Sequence, residues 1–549
     1  MANQLYPLIY KPGIKRDGTT FQADFCTDGQ WVRFQRGNIR KMGSMQGMKG
    51  IGRENTNGKP TTTNITILPE KGNTSDMQVY LANSSGINRV RTTQGVANSV
   101  YNNIYVANND NLIWKSEIII QNDNKYIVYV GSYNKFNISD EIPSTLVSGV
   151  IGQNLNNFVN PPKDQRGICG ALFASNYLFL YGSNGLVQWS KLKEPLDFTD
   201  SQNRNITISN DQVVDAKSIR GGTNSPTILF WTLSSVVRCI NTPDTGGNLQ
   251  FQIDVMSKSS SILSTRCVVE YDGLFFWPGT NRFFQYNGIV QELANTMSLN
   301  YFFNNLDMSR RQQVVGVKNT QYGEIWWFYP EKANSPMRDP NIPEGENSRA
   351  IIYNIRENAW YDTIISRSAA IYSEDFGFMA SYGYPLSAPE NGNTALFRHE
   401  YEYLTVNPNE ITENFILSDG TEKKVAIPSF FTTPVFSWAA FNPMKQLTGS
   451  DRWMLLVTIE PDFILLPANP DLKVIINTKQ YAQNIAISSD NFDVPPLQVL
   501  QGPISPNDIL DCKIDTCFQG RHMTLTFTSN LSNFEMGHVM LSLGLGDGK

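Results

Sequence analysis

Most of this 549-residue chain is written in short apolar runs of period two, cut at intervals by Asp-Gly or Asn-Gly. Alternation gathers the apolar side chains on one face of a strand, and the two dipeptides suit the positive φ angles of tight hairpin turns. They stand at Asp17-Gly18, Asp28-Gly29, Asn57-Gly58, Asn184-Gly185, Asp272-Gly273, Asn287-Gly288, Asn391-Gly392 and Asp419-Gly420. Strand-like stretches lie between them: Asn176–Tyr181, Leu186–Ser190, Thr227–Thr232, Ser235–Ile240, Leu274–Trp277, Arg282–Tyr286 and Glu324–Tyr329. Only Ala294–Arg311 has a moderately helical pattern. The fold class read from this texture is all-β.

The hairpins recur. Aromatic-rich pairs begin near Tyr177, Thr227, Tyr271, Tyr322 and Ala370, a spacing of about 45 to 50 residues that suits four-stranded propeller blades. One earlier cycle is read between Met77 and Tyr133. The repeat carries no WD or kelch signature, and stacked sandwiches are the alternative that the same spacing allows. The expectation is a β-propeller-like domain of about six blades over residues 61–395, with Lys332–Asn347 (Pro336, Pro340, Pro343) as a long surface loop inside one blade. After Asn391-Gly392 the texture changes, Tyr401–Lys424 is more charged, and a new strand series follows. Residues 396–549 are therefore expected to form a C-terminal β-sandwich, barrel or platform domain, and residues 1–60 a strand-rich N-terminal arm.

Charged residues make up 17% of the chain, below the roughly 25% of ordinary soluble proteins, so much of its polar surface is Asn, Ser, Thr and Gln. Such a surface can be covered by partners without desolvating many charges. With Lys plus Arg 45 and Asp plus Glu 50, the net charge is −5, which argues against a broad basic face gripping nucleic acid. MANQLYPLIYKPGIKRDG lacks the apolar core of a signal peptide, and no run of about 18 apolar residues occurs, so neither export nor membrane insertion is expected. Cys26, Cys169, Cys239, Cys267, Cys512 and Cys517 read as reduced thiols, and the Cys512/Cys517 pair alone is too little for zinc.

Catalytic patterns mostly fail. GRENTNGK at 52–59 has five residues between its glycines where a phosphate loop has four, and Pro60 stands where Ser or Thr would hold magnesium. GLGDGK at the C-terminus has no helix after it. His399, His522 and His538 are far apart, no HExxH or GxSxG occurs, and nothing singles out a Ser–His–Asp triad. No Ser-x-Asp-x-Gly-x-x-Trp box of sialidase-like propellers is found. The expectation is no enzyme, no cofactor and no metal. Trp31, Trp189, Trp231, Trp277, Trp326, Trp327 and Trp360 sit in strand-like runs and are expected in the core, with sugar-stacking platforms as the alternative. Adjacent Trp326 and Trp327 point to opposite faces, so one is expected exposed or at an interface. Arg33, Arg36, Arg40 and Lys41 form the one notable basic cluster, a candidate contact for an acidic partner or for DNA, against the plainer reading of a solvated strand edge. Removing the first forty residues is expected to spare the propeller but to weaken docking, since the Arg33–Lys41 segment lies outside the repeat.

PGIKRDGTTFQADFCTDGQWVRFQRGNIRKMGSM (Pro12–Met45) resembles the opening of the tail hub or nozzle proteins of short-tailed bacteriophages, also called packaged-DNA stabilisation proteins. The resemblance continues in order through VQWSKLKEPLDF (Val187–Phe198), YDGLFFWPGTNRFFQYNGIVQEL (Tyr271–Leu293), EIWWFYP (Glu324–Pro330) and YNIRENAWY (Tyr353–Tyr361). It ends with FRHEYEY (Phe397–Tyr403), DRWMLLVTIEPDF (Asp451–Phe463), QGRHMTLTFTSN (Gln519–Asn530) and FEMGHVMLSLGLGDGK (Phe534–Lys549). The resemblance implies a structural virion protein: a β-propeller-bearing subunit of a homohexameric ring below the portal and its adaptor ring, assembled in the host bacterial cytoplasm. It further implies tail fibre or spike and needle or plug proteins as neighbours, and packaged DNA held and later ejected through the ring without sequence-specific binding. A tail-associated receptor-binding adhesin is the alternative, and a glycan-degrading propeller a third.

Overall fold

In the computed structural model the strand Leu274–Pro278 has a Phe-Phe-Trp run buried along both faces, which a sheet achieves only when neighbours cover it on either side. The structure describes residues 4–19, 24–48, 62–70, 73–83, 86–93, 96–106, 112–121, 124–133, 147–150, 155–156, 167–199, 205–219, 227–243, 249–335, 338–386, 394–401, 410–416, 422–441, 452–467, 470–479, 488–493 and 513–546. Among these, six four-stranded antiparallel sheets follow one another in chain order. Blade 1 spans residues 62–106, blade 2 112–156, blade 3 168–207, blade 4 213–257, blade 5 269–293 and blade 6 315–364.

Blade 7 begins with Ala369–Ser373, Phe378–Gly383 and Ala395–His399, and takes its fourth strand from the other end of the chain: Met45–Gly47 pairs antiparallel with Ala395–His399. First strands of neighbouring blades lie against one another, blade 1 on 2, 2 on 3, 3 on 4, 5 on 6 and 6 on 7, and that of blade 7 returns against that of blade 1. Trp231 of blade 4 meets Phe275 and Trp277 of blade 5 at ring-centroid distances of 5.7 and 5.5 Å, one of the aromatic joints between neighbouring sheets. The chain is all-β and its larger part is a β-propeller. The described residues form seven blades where about six were expected, because Met77–Tyr133, read as one cycle, holds strands of two blades.

Turn chemistry explains where hairpins fall. Asp272 and Gly273 both have positive φ, 50° and 79°, as a two-residue loop between twisted strands demands. Asn184-Gly185 does the same, with φ 54° and 68°. Asp28-Gly29 does not: it lies within the strand Asp28–Gln30, paired with Ser429–Thr432, and Gly29 is there because a Cβ would meet Ile14 Cδ1 at 2.8 Å. Asn57-Gly58, Asn391-Gly392 and Asp419-Gly420 lie outside the described residues, as do residues 52–59 and Cys512. The expected helical window yields the short helix Leu299–Asn305 and a 3-10 turn over Met308–Gln313.

The C-terminal part is a two-sheet sandwich. One sheet runs Ile514–Gly520, Met454–Leu465, Glu535–Leu545, Asn38–Lys41, Val32–Gln35, with Gln4–Leu8 also on Glu535–Leu545; the other runs Asp28–Gln30, Ser429–Thr432, His522–Ser529, Lys473–Lys479, Ser488–Asp493. Alternate residues of both, such as Val539, Leu541, Leu543, Val474, Ile476, Leu525 and Phe527, enter one core with Trp326, Phe328 and Tyr361 of blade 6. The N-terminal strands are thus not an arm of their own. Apart from a short parallel pair, Lys11–Ile14 with Phe25–Cys26, they are distributed among the sandwich sheets and blade 7. Removing the first forty residues would take Trp31, Val32, Phe34 and Ile39 out of this shared core, so the expectation that the propeller is spared does not stand.

Candidate functional site at the propeller–sandwich junction

All seven tryptophans singled out in the sequence are buried, Trp326 and Trp327 included. Trp326 faces the core shared with the sandwich, and Trp327 the joint between blades 5 and 6, where Phe283 and Trp360 lie 5.5 and 6.1 Å away. Neither side of this strand is left for a solvent-facing ring.

The basic cluster is dispersed by the fold. Val32–Gln35 and Asn38–Lys41 form a hairpin whose turn places Arg36 at φ 54°, and only Arg36 is exposed. The Arg36 and Gly37 amides donate to the Glu357 carboxylate at 2.5 and 3.4 Å. Arg40 is half-buried, 3.7 Å from Glu535. Lys41 is buried and donates through Nζ to the Asn530 carbonyl at 2.8 Å. Arg33 is wholly inside. As surface contacts for a partner, Arg33 and Lys41 are therefore corrected: a strand facing two packed layers buries charge on both sides wherever a partner group meets it.

Arg33 Nε donates to Glu324 Oε1 at 2.9 Å and Nη2 to Glu400 Oε1 at 2.6 Å, with the guanidinium 3.6 Å from the Tyr322 ring centroid. Glu324 also accepts from Tyr361 Oη at 2.7 Å and Trp326 Nε1 at 2.9 Å. Burial works against the charge on Arg33, but Glu324 and Glu400 outweigh it and hold the guanidinium charged well above its ordinary range. Gly43 permits the approach of Glu400, since a Cβ there would overlap the carboxylate.

A second chain of charges runs beside it. Arg16 bridges Asp28 and Asp362, Asp362 accepts from Arg349 Nη1 at 2.6 Å, and Arg349 Nε reaches Glu331 at 3.0 Å. Burial pushes the Asp362 acid up, yet Arg16 and Arg349 together bring it below the usual carboxylate range. A third set closes blade 7: Arg367 Nη2 donates to Glu413 at 3.0 Å and Nε to Ser381 Oγ at 2.9 Å, while Ser381 Oγ lies 2.6 Å from His399 Nε2. This Ser–His contact has no hydrolytic geometry. Ser381 is fully buried, an arginine donates to its Oγ, and burial with Arg367 and Arg33 nearby holds the imidazole far below its ordinary pKa. These networks tie elements together; Asp28, with its side chain 39% exposed, is the acid in them most open to solvent, and Arg16 holds it. Signals for the acids existed in EIWWFYP and FRHEYEY, but a lone Glu in an aromatic run does not name its arginine.

No protein-family model and no curated protein matches the chain. Solved structures resemble it in fold alone. The WD40 propeller domain of Doa1 is 11% identical, with a TM-score of 0.33 over 65% of this chain and 96% of that one. Trypanosoma rangeli sialidase with sialic acid is 10% identical, with a TM-score of 0.31 over 93% and 96%. An ancestral GH74 enzyme is 10% identical with a TM-score of 0.37, and the match over 70% of this chain spans about half, 52%, of that enzyme.

Proposed function

We propose that the chain is a non-catalytic virion protein that forms the tail nozzle or hub ring, a homohexamer below the portal and adaptor of a short-tailed bacteriophage, and that the ring retains packaged DNA and guides its ejection. The observation that carries the reading is that the separate motifs behind the resemblance meet in space. The QWVRFQRGNIRK hairpin pairs with FEMGHVMLSLGL, which pairs with MLLVTIEPDF, and its Arg33 is clamped by the Glu of EIWWFYP and the Glu of FRHEY. Motifs hundreds of residues apart thus build one junction, a physical reason for them to occur together.

A single propeller axis gives a duplex no passage, because Arg266 of the segment leading into blade 5 reaches the Thr63 carbonyl of blade 1, and Lys115 of blade 2 reaches Asp215 of blade 4 at 2.7 Å. The channel in this reading is the space enclosed by several copies. The chain's net charge of −5 argues against a broad basic face that would grip phosphates, so in this reading the duplex slides past the wall. Two-dimensional electron-microscopy averaging of the protein, alone and in disrupted virions labelled with an antibody to it, tests the proposal. Sixfold rings with a central hole on the tail axis support it; monomers or trimers at the tail periphery overturn it in favour of an adhesin.

A further inference from the structure

Arg266 stands at the mouth of the propeller axis where the first strands of the blades begin. Its Nη1 donates to the Thr63 carbonyl and, at 3.2 Å, to the Ser368 carbonyl, and Nη2 to the Gln313 carbonyl at 3.4 Å. Those oxygens belong to blade 1 and to the segments leading into blades 7 and 6. Among the described residues no carboxylate pairs with this guanidinium, unlike Arg16, Arg33, Arg349 and Arg367, each of which has at least one. Burial accordingly brings its pKa down to about 10.

Several atoms around it also lack a partner among the described residues. Arg266 Nε is buried with no acceptor, and Thr265 Oγ1, the preceding residue, is buried with no partner. Thr62 Oγ1 is likewise buried and unpartnered, one residue from the carbonyl that Arg266 holds; the Thr62 carbonyl itself takes Ser368 Oγ at 2.7 Å. Asn347 Nδ2 shares the Gln313 carbonyl with Arg266, at 3.0 Å, while its Oδ1 accepts nothing. Native interiors rarely leave such groups unmatched, and a cluster of them marks a place for a further polar species. Here the inventory is one cationic donor, two hydroxyls and one acceptor, beside a charge that lacks a counter-ion.

We propose that this axial mouth binds a small inorganic oxyanion, and that singly protonated phosphate fits it better than sulfate. Its oxygens take Arg266 Nε and the threonine hydroxyls, while its own P–OH donates to Asn347 Oδ1. Sulfate at neutral pH has no proton for that acceptor and leaves it unmatched. The bound anion supplies the counter-charge that Arg266 lacks and draws together the start of the ring on the side where blades 5, 6, 7 and 1 converge.

Isothermal titration of the full-length protein with inorganic phosphate at constant ionic strength tests this. Saturable binding of one phosphate per chain is expected, weaker with sulfate. Arg266→Gln should weaken binding at least tenfold and Thr62→Val several-fold. Thr62→Val keeps the guanidinium and its carbonyl bonds, so it decides the matter if Arg266→Gln fails to fold. No saturable heat in the wild-type protein, equal affinity for sulfate and phosphate, or unchanged affinity in Thr62→Val would each overturn the proposal.

Discussion

Arg33 Nε and Glu324 Oε1 lie 2.9 Å apart with both side chains at 0% exposure, and they join the N-terminal hairpin in the sandwich to the second strand of blade 6. Removing one partner strands the other charge where water cannot reach it. Arg33→Met is expected to cost about 3–5 kcal/mol in urea unfolding near neutral pH. Arg33→Met with Glu324→Gln should cost less than the sum of the single changes; additive losses would show that the pair is not coupled.

Trp277 is fully buried between blades 4 and 5, stacked on Phe284 at 5.6 Å, with Nε1 donating to the Ser261 carbonyl at 3.1 Å. Trp277→Ala is expected to cost about 3–5 kcal/mol, since flanking sheets cannot close over so large a void. An unchanged melting temperature would refute that packing.

Asp471 receives the backbone amides of Asn530, Leu531 and Ser532 and the Ser529 hydroxyl, all within 3.0 Å. Burial raises its pKa, but these donors prevail and bring it from 3.8 to about 2. A folded pKa below the unfolded one contributes stability that is complete above about pH 4 and lost as pH falls toward 2. Asp471→Asn should therefore melt lower than wild type at pH 6, with the gap closing near pH 2. A gap independent of pH would mean that shape, not charge, matters at this turn.

Glu346 gives the opposite sign. Burial raises its pKa from 4.5 to about 7, with Arg310 opposing in part. Stability is thus surrendered as pH rises from about 4.5 to 7, because the fold must then hold a poorly solvated carboxylate. Glu346→Gln is expected to stabilise the protein by about 1–3 kcal/mol at pH 8 and to change little at pH 4. Equal effects at both pH values would contradict this.

What could be read beforehand divides along physical lines. Asp272-Gly273 announces its hairpin because two consecutive positive φ angles restrict the residue types, and the aromatic strands of blades 3 to 7 announce a repeat because they are buried on both faces. Blade 1 carries longer, more polar strands such as Asn73–Asn83 and Val96–Val106, and its cycle merged with that of blade 2 into one. Asp28-Gly29 misled because a glycine needed for close packing is spelled like one needed for a turn. Arg33 and Lys41 misled because charge in a strand reads as solvent-facing unless the distant carboxylate or carbonyl that receives it is known.

Met45–Gly47 was the least legible element. Three residues are too few to show alternation, and the partner strand lies some 350 positions away, yet Gln46 sits opposite Arg398 on one side and Asn414 on the other. This strand completes blade 7 and links it to the hairpin Thr412–Ile416 with Glu422–Ala426, so the ring is closed by the chain's two distant parts. Gln46→Pro removes an amide and fixes φ where pairing occurs on both edges. It is expected to lower the melting temperature and to speed amide exchange in Ala395–His399 and Thr412–Ile416. Blades 3 and 4, on the far side of the ring, should keep their protection at first, because opening spreads from the closure. Uniform acceleration around all seven blades would mean that the ring unfolds as one unit and that Met45–Gly47 is one contact among many. No acceleration would mean that Arg367 and Glu413, 3.0 Å apart behind this strand, hold blade 7 shut without it.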